Sequence, residues 1–146
     1  MIHPICRRGV FLAVLAVLAG CGDAANTVAR DLARGQALYA QHCASCHGAD
    51  LSGQPDWRER KPDGRLPAPP HDASGHTWHH PMDMLFDMTK QGLVPPLAPE
   101  GYQSDMPGFK GVLSDDEIRD VLAYIESTWP EPVRAAREQR FGANGR

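Results

Sequence analysis

The sequence predicts an all-α domain: three to four helices joined by long Pro- and Gly-rich loops. Three observations carry this. Apolar residues recur at helical spacing in separate stretches, a capping box opens the last of them, and the segments between are too dense in proline, glycine and charge for a strand ladder. At 146 residues, with 42% hydrophobic and 23% charged, the chain has room for one globular domain.

Residues 1–20 stand apart. Arg7 and Arg8 precede the run Gly9 to Gly20, and basic followed by apolar is the pattern of a secretory leader. The run is shorter than the roughly 20 residues of a spanning helix. It ends in Leu18-Ala19-Gly20-Cys21, which resembles the lipobox of bacterial lipoproteins, where cleavage leaves the cysteine as a lipid-modified N-terminus. That resemblance implies a lipid anchor at Cys21 and a place at the periplasmic side of a bacterial membrane. The alternative is ordinary cleavage, releasing a protein with a spare thiol. More than one acyl chain suffices to hold a domain at a bilayer, since each buried CH₂ contributes about 0.8 kcal/mol.

Residues 21–30 are small and polar without apolar periodicity and are expected to form a flexible tether. The folded domain is expected over 31–130. Its first helix starts near Asp31, with Leu32, Ala37, Leu38 and Tyr39 at helical spacing, and runs into Cys43-Ala44-Ser45-Cys46-His47. From Ala49 to Pro70 the chain should loop. A short helix is expected from Pro81 to Lys90, with Met84, Leu85 and Met88 inward and Gly92 at its end. Pro95, Pro96 and Pro99 then forbid helix. Ser114 and Glu117 form the capping box of a last helix whose stripe is Ile118, Val121, Leu122 and Ile125, closed by Trp129 and Pro130. Residues 131–146 are polar and expected to fray as a C-terminal tail.

The segment CASCHG fits three chemistries: a dithiol redox pair, half a zinc site, or covalent haem attachment. Cys6 and Cys21 lie in or beside the leader, so Cys43 and Cys46 are the only pair in the domain. A structural zinc site takes four ligands, and Cys43, Cys46 and His47 give three. A dithiol of the thioredoxin kind belongs in a βαβ setting and leaves His47 unused. Haem attachment uses every residue: two thiols form thioethers with the porphyrin vinyls and the adjacent histidine ligates iron.

Three motifs now follow in order. Gly35 and Tyr39 precede Cys43-Ala44-Ser45-Cys46-His47, then comes Ser104-Asp105-Met106-Pro107-Gly108-Phe109, then Leu113 to Glu117 and on to Tyr124. With these the chain resembles a class I c-type cytochrome from about Asp31 to Trp129. The resemblance implies a small cytochrome c fold wrapped around one covalent haem c. It implies that the first and last helices cross at Gly35, with Tyr39 meeting Val121 and Tyr124, and that the His47 ring donates to a carbonyl near Pro69. Here Ala68-Pro69-Pro70-His71 replaces the family's usual Gly-Pro-x-Leu turn.

Met106, in a Pro- and Gly-bounded loop, is the expected sixth iron ligand; its soft thioether favours ferrous iron and raises the potential. Met82, Met84 and Met88 compete for the same role, but their spacing puts Met84 and Met88 on the inner face of a helix, where core packing is expected for both. The stretch from His71 to Met84 gathers histidines, Trp78 and methionines. Trp78 is expected to shield a haem edge, with His80 and its neighbours capping the next helix. The alternative is that the stretch handles copper, which imidazole and thioether suit.

Without the leader the chain carries 13 basic and 18 acidic residues, a formal charge of −5. That argues against nucleic acid and for partners with a positive docking face. The expected function is one-electron transfer, without substrate turnover, by a monomer passing electrons between a redox donor and a redox acceptor at the same membrane. The alternatives are an electron-transfer subunit of a larger oxidoreductase or oxidase and a haem-based ligand sensor.

Overall fold

The structure, a computed structural model, describes residues 23–142. The leader and Cys21 lie outside the described residues. Within them are five α-helices and one 3₁₀ turn, and no strand: α1 (Asp23–His42), α2 (Ala44–His47), α3 (Met82–Gln91), α4 (Asp115–Ser127) and α5 (Glu131–Phe141), with the 3₁₀ turn at Thr77–His79. None of these helices is long and apolar enough to cross a membrane.

The fold rests on the crossing of α1 and α4. Gly35 faces the α4 backbone so closely that a Cβ there would lie 2.1 Å from the Asp120 carbonyl oxygen and 3.0 Å from Tyr124 Cβ. Arg34 pairs with the buried Asp120 beside this contact. Tyr39, 1% exposed, meets the Tyr124 ring at 5.5 Å and clusters with Leu51, Val121, Ile125 and Trp129. A second cluster, Leu85, Phe109, Leu113, Ile118 and Leu122, joins α3 and the loop after it to the other side of α4. The expected stripe of α4 is therefore buried in full, alternating between the two clusters. Ser114 caps that helix: its hydroxyl accepts from the Glu117 N–H, and the Glu117 carboxylate accepts from the Ser114 N–H at 2.8 Å.

Three expectations need correction. The helix α1 begins at Asp23, inside the stretch read as a tether. Ala24, Ala25, Ala29 and Arg30 are strong helix formers, and extending an existing helix costs little once it is nucleated. Residues 131–141 are not a frayed tail but helix α5. Its Val133 packs on the first cluster, and the Arg137 guanidinium, 3% exposed, donates to the carbonyls of Trp78 and His80 and pairs with Glu126 at 3.5 Å. Met84 is not inward: it is 37% exposed, while Leu85 and Thr89 are the buried residues of α3 and Met82 packs on the second cluster. In α3 the inward line follows the i, i+4 pair Leu85 and Thr89, about 100° from Met84 around the axis.

Candidate functional site

The Cys43–His47 turn grows directly from the end of α1. The Cys43 N–H donates to Tyr39 O at 2.9 Å, and the N–H groups of Cys46 and His47 donate to Cys43 O at 3.1 and 2.9 Å. Helical spacing sets Cys43 and Cys46 one turn apart on one side. Both are free thiols, Cys43 half-buried and Cys46 exposed. Burial, and then the neighbouring Cys46, push the Cys43 thiol up to about 11. A redox dithiol needs its attacking thiol shifted the other way. Among the described residues no three His, Cys, Asp or Glu side chains converge to hold a metal ion.

His47 is 6% exposed, and its Nδ1 lies 2.8 Å from Pro69 O. Nδ1–H is therefore the donor, which leaves the Nε2 lone pair for a metal. Burial holds the imidazole below the usual histidine range despite that bond, keeping it neutral. The expected acceptor, Pro69, is thus the one used. Its position is fixed by a close loop crossing: Gly53 N–H donates to His47 O at 2.8 Å, Gln54 N–H donates to Ala68 O at 2.9 Å, and a Cβ on Gly53 would lie 2.5 Å from Pro70 N.

The residue sequence reasoning missed is His71. Its ring stacks on that of His47, centroids 4.0 Å apart and planes at 25°. Its Nδ1 lies 2.9 Å from Thr77 Oγ1, its N–H donates to Leu51 O at 2.8 Å, and its carbonyl accepts from Trp129 Nε1–H at 2.8 Å. Burial, reinforced by His47 and His76, pushes it down to about 3. The available signal was its place in the Ala68-Pro69-Pro70-His71 turn, where the family commonly has an apolar residue.

Met106 sits half-buried against the second cluster, its N–H donating to Ser104 Oγ at 3.0 Å. The loop is pinned to α3 where Phe109 N–H donates to Thr89 O at 3.0 Å, and Gly108 lies so close to Gln91 that a Cβ would meet its carbonyl at 2.8 Å. Met106, Ser104, Tyr102 and Arg65 line a cleft of about 320 Å³. Arg65 Nε is buried without a hydrogen-bond partner. His47 does not line this cleft; its ring contacts are Pro69 and His71.

Trp78 packs with Tyr39 and Trp129 in the first cluster, where Cys43 and Ala44 also pack, and donates to Ala73 O at 3.3 Å. The other histidines of the stretch are engaged in ring contacts: His79 stacks on Trp78 at 3.7 Å, His76 stacks on Trp57 at 5.3 Å, and His76 meets His80 edge-on at 5.5 Å. Burial first, then His79 beside His76 and His76 beside His80, holds both imidazoles below the usual range.

These residues fit a covalent haem. They offer two free thiols one turn apart, a neutral imidazole with Nε2 available, a thioether on a pinned loop, and a buried guanidinium N–H suited to a carboxylate such as a propionate.

A family model described as cytochrome c matches residues 32–129. The chain is 30% identical over 118 residues to cytochrome c6 of Synechocystis sp., covering 80% of this chain and 82% of that protein. It is 33% identical over 120 residues to a thiosulfate dehydrogenase of Allochromatium vinosum, covering 81% of this chain but only 39% of the relative. No solved structure matches.

Proposed function

The chain belongs to the cytochrome c family and so carries a covalently attached haem c for electron transfer; from that premise we propose that it is a monohaem carrier with His47 and Met106 as axial ligands, shuttling single electrons between membrane-associated partners. The observation that carries this reading is the His47–Pro69 bond of 2.8 Å, which leaves Nε2 as the ring's free donor atom beside two free thiols.

When bound, the haem supplies a one-electron ferric/ferrous couple. Everything else falls to the chain. Cys43 and Cys46 hold the group through thioethers. Pro69 O fixes the tautomer and the plane of His47. Met106 would supply its thioether to the iron from its pinned loop, and a ligand held that way would keep reorganisation small. The buried Arg65 Nε–H would suit a propionate, and the two apolar clusters would pack on the ring. Trp78, which packs on the same cluster as Cys43, would shield the thioether side of the group.

We assign residues 1–20 to a leader and Cys21 to a lipid anchor, so that the domain works on the periplasmic side, tethered by the start of α1. The domain is then α1 to Trp129 with α5 as an integral brace. Loss of membrane association in Cys21→Ala checks the anchor. The relative that is a thiosulfate dehydrogenase favours a second reading, an electron-transfer part of a larger oxidoreductase; an obligate catalytic chain on co-purification would establish it.

The decisive experiment is the spectrum of the mature protein, oxidised, reduced, and reduced under carbon monoxide. A methionine-to-ferric-iron charge-transfer band that Met106→Ala abolishes, with reduced bands unmoved by carbon monoxide, is the expected result. Rapid carbon monoxide binding by the unsubstituted protein would overturn Met106 as a firm ligand and favour a sensor.

A further inference from the structure

The loop that follows His47 and the loop that bears Met106 are tied to each other by one carboxylate. Asp105, the residue before Met106, receives Lys61 Nζ at 2.5 Å on Oδ2 and Arg65 Nη1 at 3.0 Å on Oδ1. Each oxygen thus has its own cation, and both cations come from one short turn. That turn is stiff: Lys61 N–H donates to Arg65 O at 2.8 Å, Gly64 N–H donates to Lys61 O at 2.8 Å, and Arg65 N–H is held by Asp63 Oδ1 at 3.0 Å. Arg60 adds a bond from Nη1 to Gly64 O at 2.6 Å. Lys61 and Arg65 are therefore presented together before Asp105 arrives, which lowers the entropic cost of the grip.

On the far side of Asp105 the loop has its own bracing, Met106 N–H on Ser104 Oγ and Phe109 N–H on Thr89 O. Between these anchors the Asp105 carboxylate joins the loop of Met106 to the loop that follows His47. We propose that Asp105 is a positioning residue for Met106, an ion latch that joins the two loops and limits how often the methionine swings off the metal. The proposal rests on the reading of Met106 as the axial ligand.

The side chains concerned are 37%, 40% and 46% exposed, so the latch is a surface network. Each exposed pair is individually weak, and two on one carboxylate correspond to about a fivefold change in an opening equilibrium. The effect belongs to loop opening, not to the fold as a whole, and it must be sensitive to salt.

The test uses the holoprotein and reads the rate of carbon monoxide binding to the reduced form, which requires Met106 to leave, together with the methionine–iron charge-transfer band. Asp105→Asn and Lys61→Ala should each raise the rate at low ionic strength, Asp105→Asn about fivefold. Their double variant should gain less than the product of the two. The charge-swapped pair Lys61→Asp with Asp105→Lys should bring the rate back towards that of the unsubstituted protein. Added salt should speed the unsubstituted protein while leaving Asp105→Asn unchanged, a measurement that stands even if a variant folds poorly. A band-bearing protein whose rate ignores both salt and Asp105→Asn overturns the latch. An unsubstituted protein with no charge-transfer band overturns Met106 as ligand, and the latch with it, so the two failures are told apart.

Discussion

The ring of His47 is held from two directions, by the Pro69 carbonyl in its plane and by His71 on its face. A hydrogen bond alone leaves a ring free to rock about the bond axis; a parallel neighbour at 4.0 Å removes that freedom. We expect His71→Ala to cost about 3 kcal/mol by opening a cavity in a buried site, and to move the ferric electron paramagnetic resonance g-values as the His47 plane relaxes. His71→Phe, which keeps a flat ring, should restore the g-values even where stability stays reduced; unchanged g-values in the alanine variant would show that Pro69 alone sets the plane. Residue roles were legible in the sequence where a local motif carries them. Cys43, Cys46 and His47 are contiguous, and Pro69 was reached through the family's turn. The stack of His71 on His47 was not, because it depends on how a loop of more than twenty residues closes, and no local periodicity encodes that.

Among the elements, α4 was the most readable because its information is local: a cap, a stripe and a Trp-Pro stop lie within seventeen residues. Its cap also titrates. Hydrogen bonds from Ser114 hold the Glu117 carboxyl below its ordinary value of 4.5. A depressed carboxyl stabilises the fold above its unfolded value and loses that contribution as pH falls through the folded one. Stability measured from pH 5 down to pH 3 should therefore fall more steeply in the unsubstituted protein than in Glu117→Gln, whose amide still accepts from the Ser114 N–H but carries no charge; parallel slopes would mean the cap contributes no pH dependence. Helix α5 was misread for a physical reason. Its inward line is Val133, Arg137 and Phe141, spaced by four, and the central member is a charged residue that no apolar pattern counts. That guanidinium reaches the Trp78 and His80 carbonyls, and its carbon lies 5.3 Å from the Trp129 ring centroid. Arg137→Ala should cost about 3 kcal/mol, since it strands buried acceptors and leaves Glu126 without this partner. Thermal or chemical unfolding measures this, and a loss under 1 kcal/mol would return α5 to the status of a decoration.

As a whole molecule the protein has two modest clusters around α4 and two long loops with little regular structure of their own. A domain of this size buries a limited fraction of its surface, and the haem supplies the missing apolar centre. Cys43→Ser with Cys46→Ser, or expression without haem attachment, should give a chain that binds hydrophobic dyes and melts without a sharp transition; a cooperative melt at the holoprotein's midpoint would show that the polypeptide suffices. The all-α class was legible because helix signals are short-range. The count was not, since a four-residue helix such as α2 and a polar-faced helix such as α5 leave weak patterns.

One consequence follows from the pairing of α1 with α4. Arg34 and Asp120 are 86 positions apart, so the first long helix finds its partner only when nearly the whole domain has been made. Contacts of such long range form late. A chain threaded out from its N-terminus therefore passes through an interval in which the Cys43–His47 turn is synthesised yet nothing encloses it. During that interval both thiols stand open, whereas in the finished domain Cys43 is half-buried.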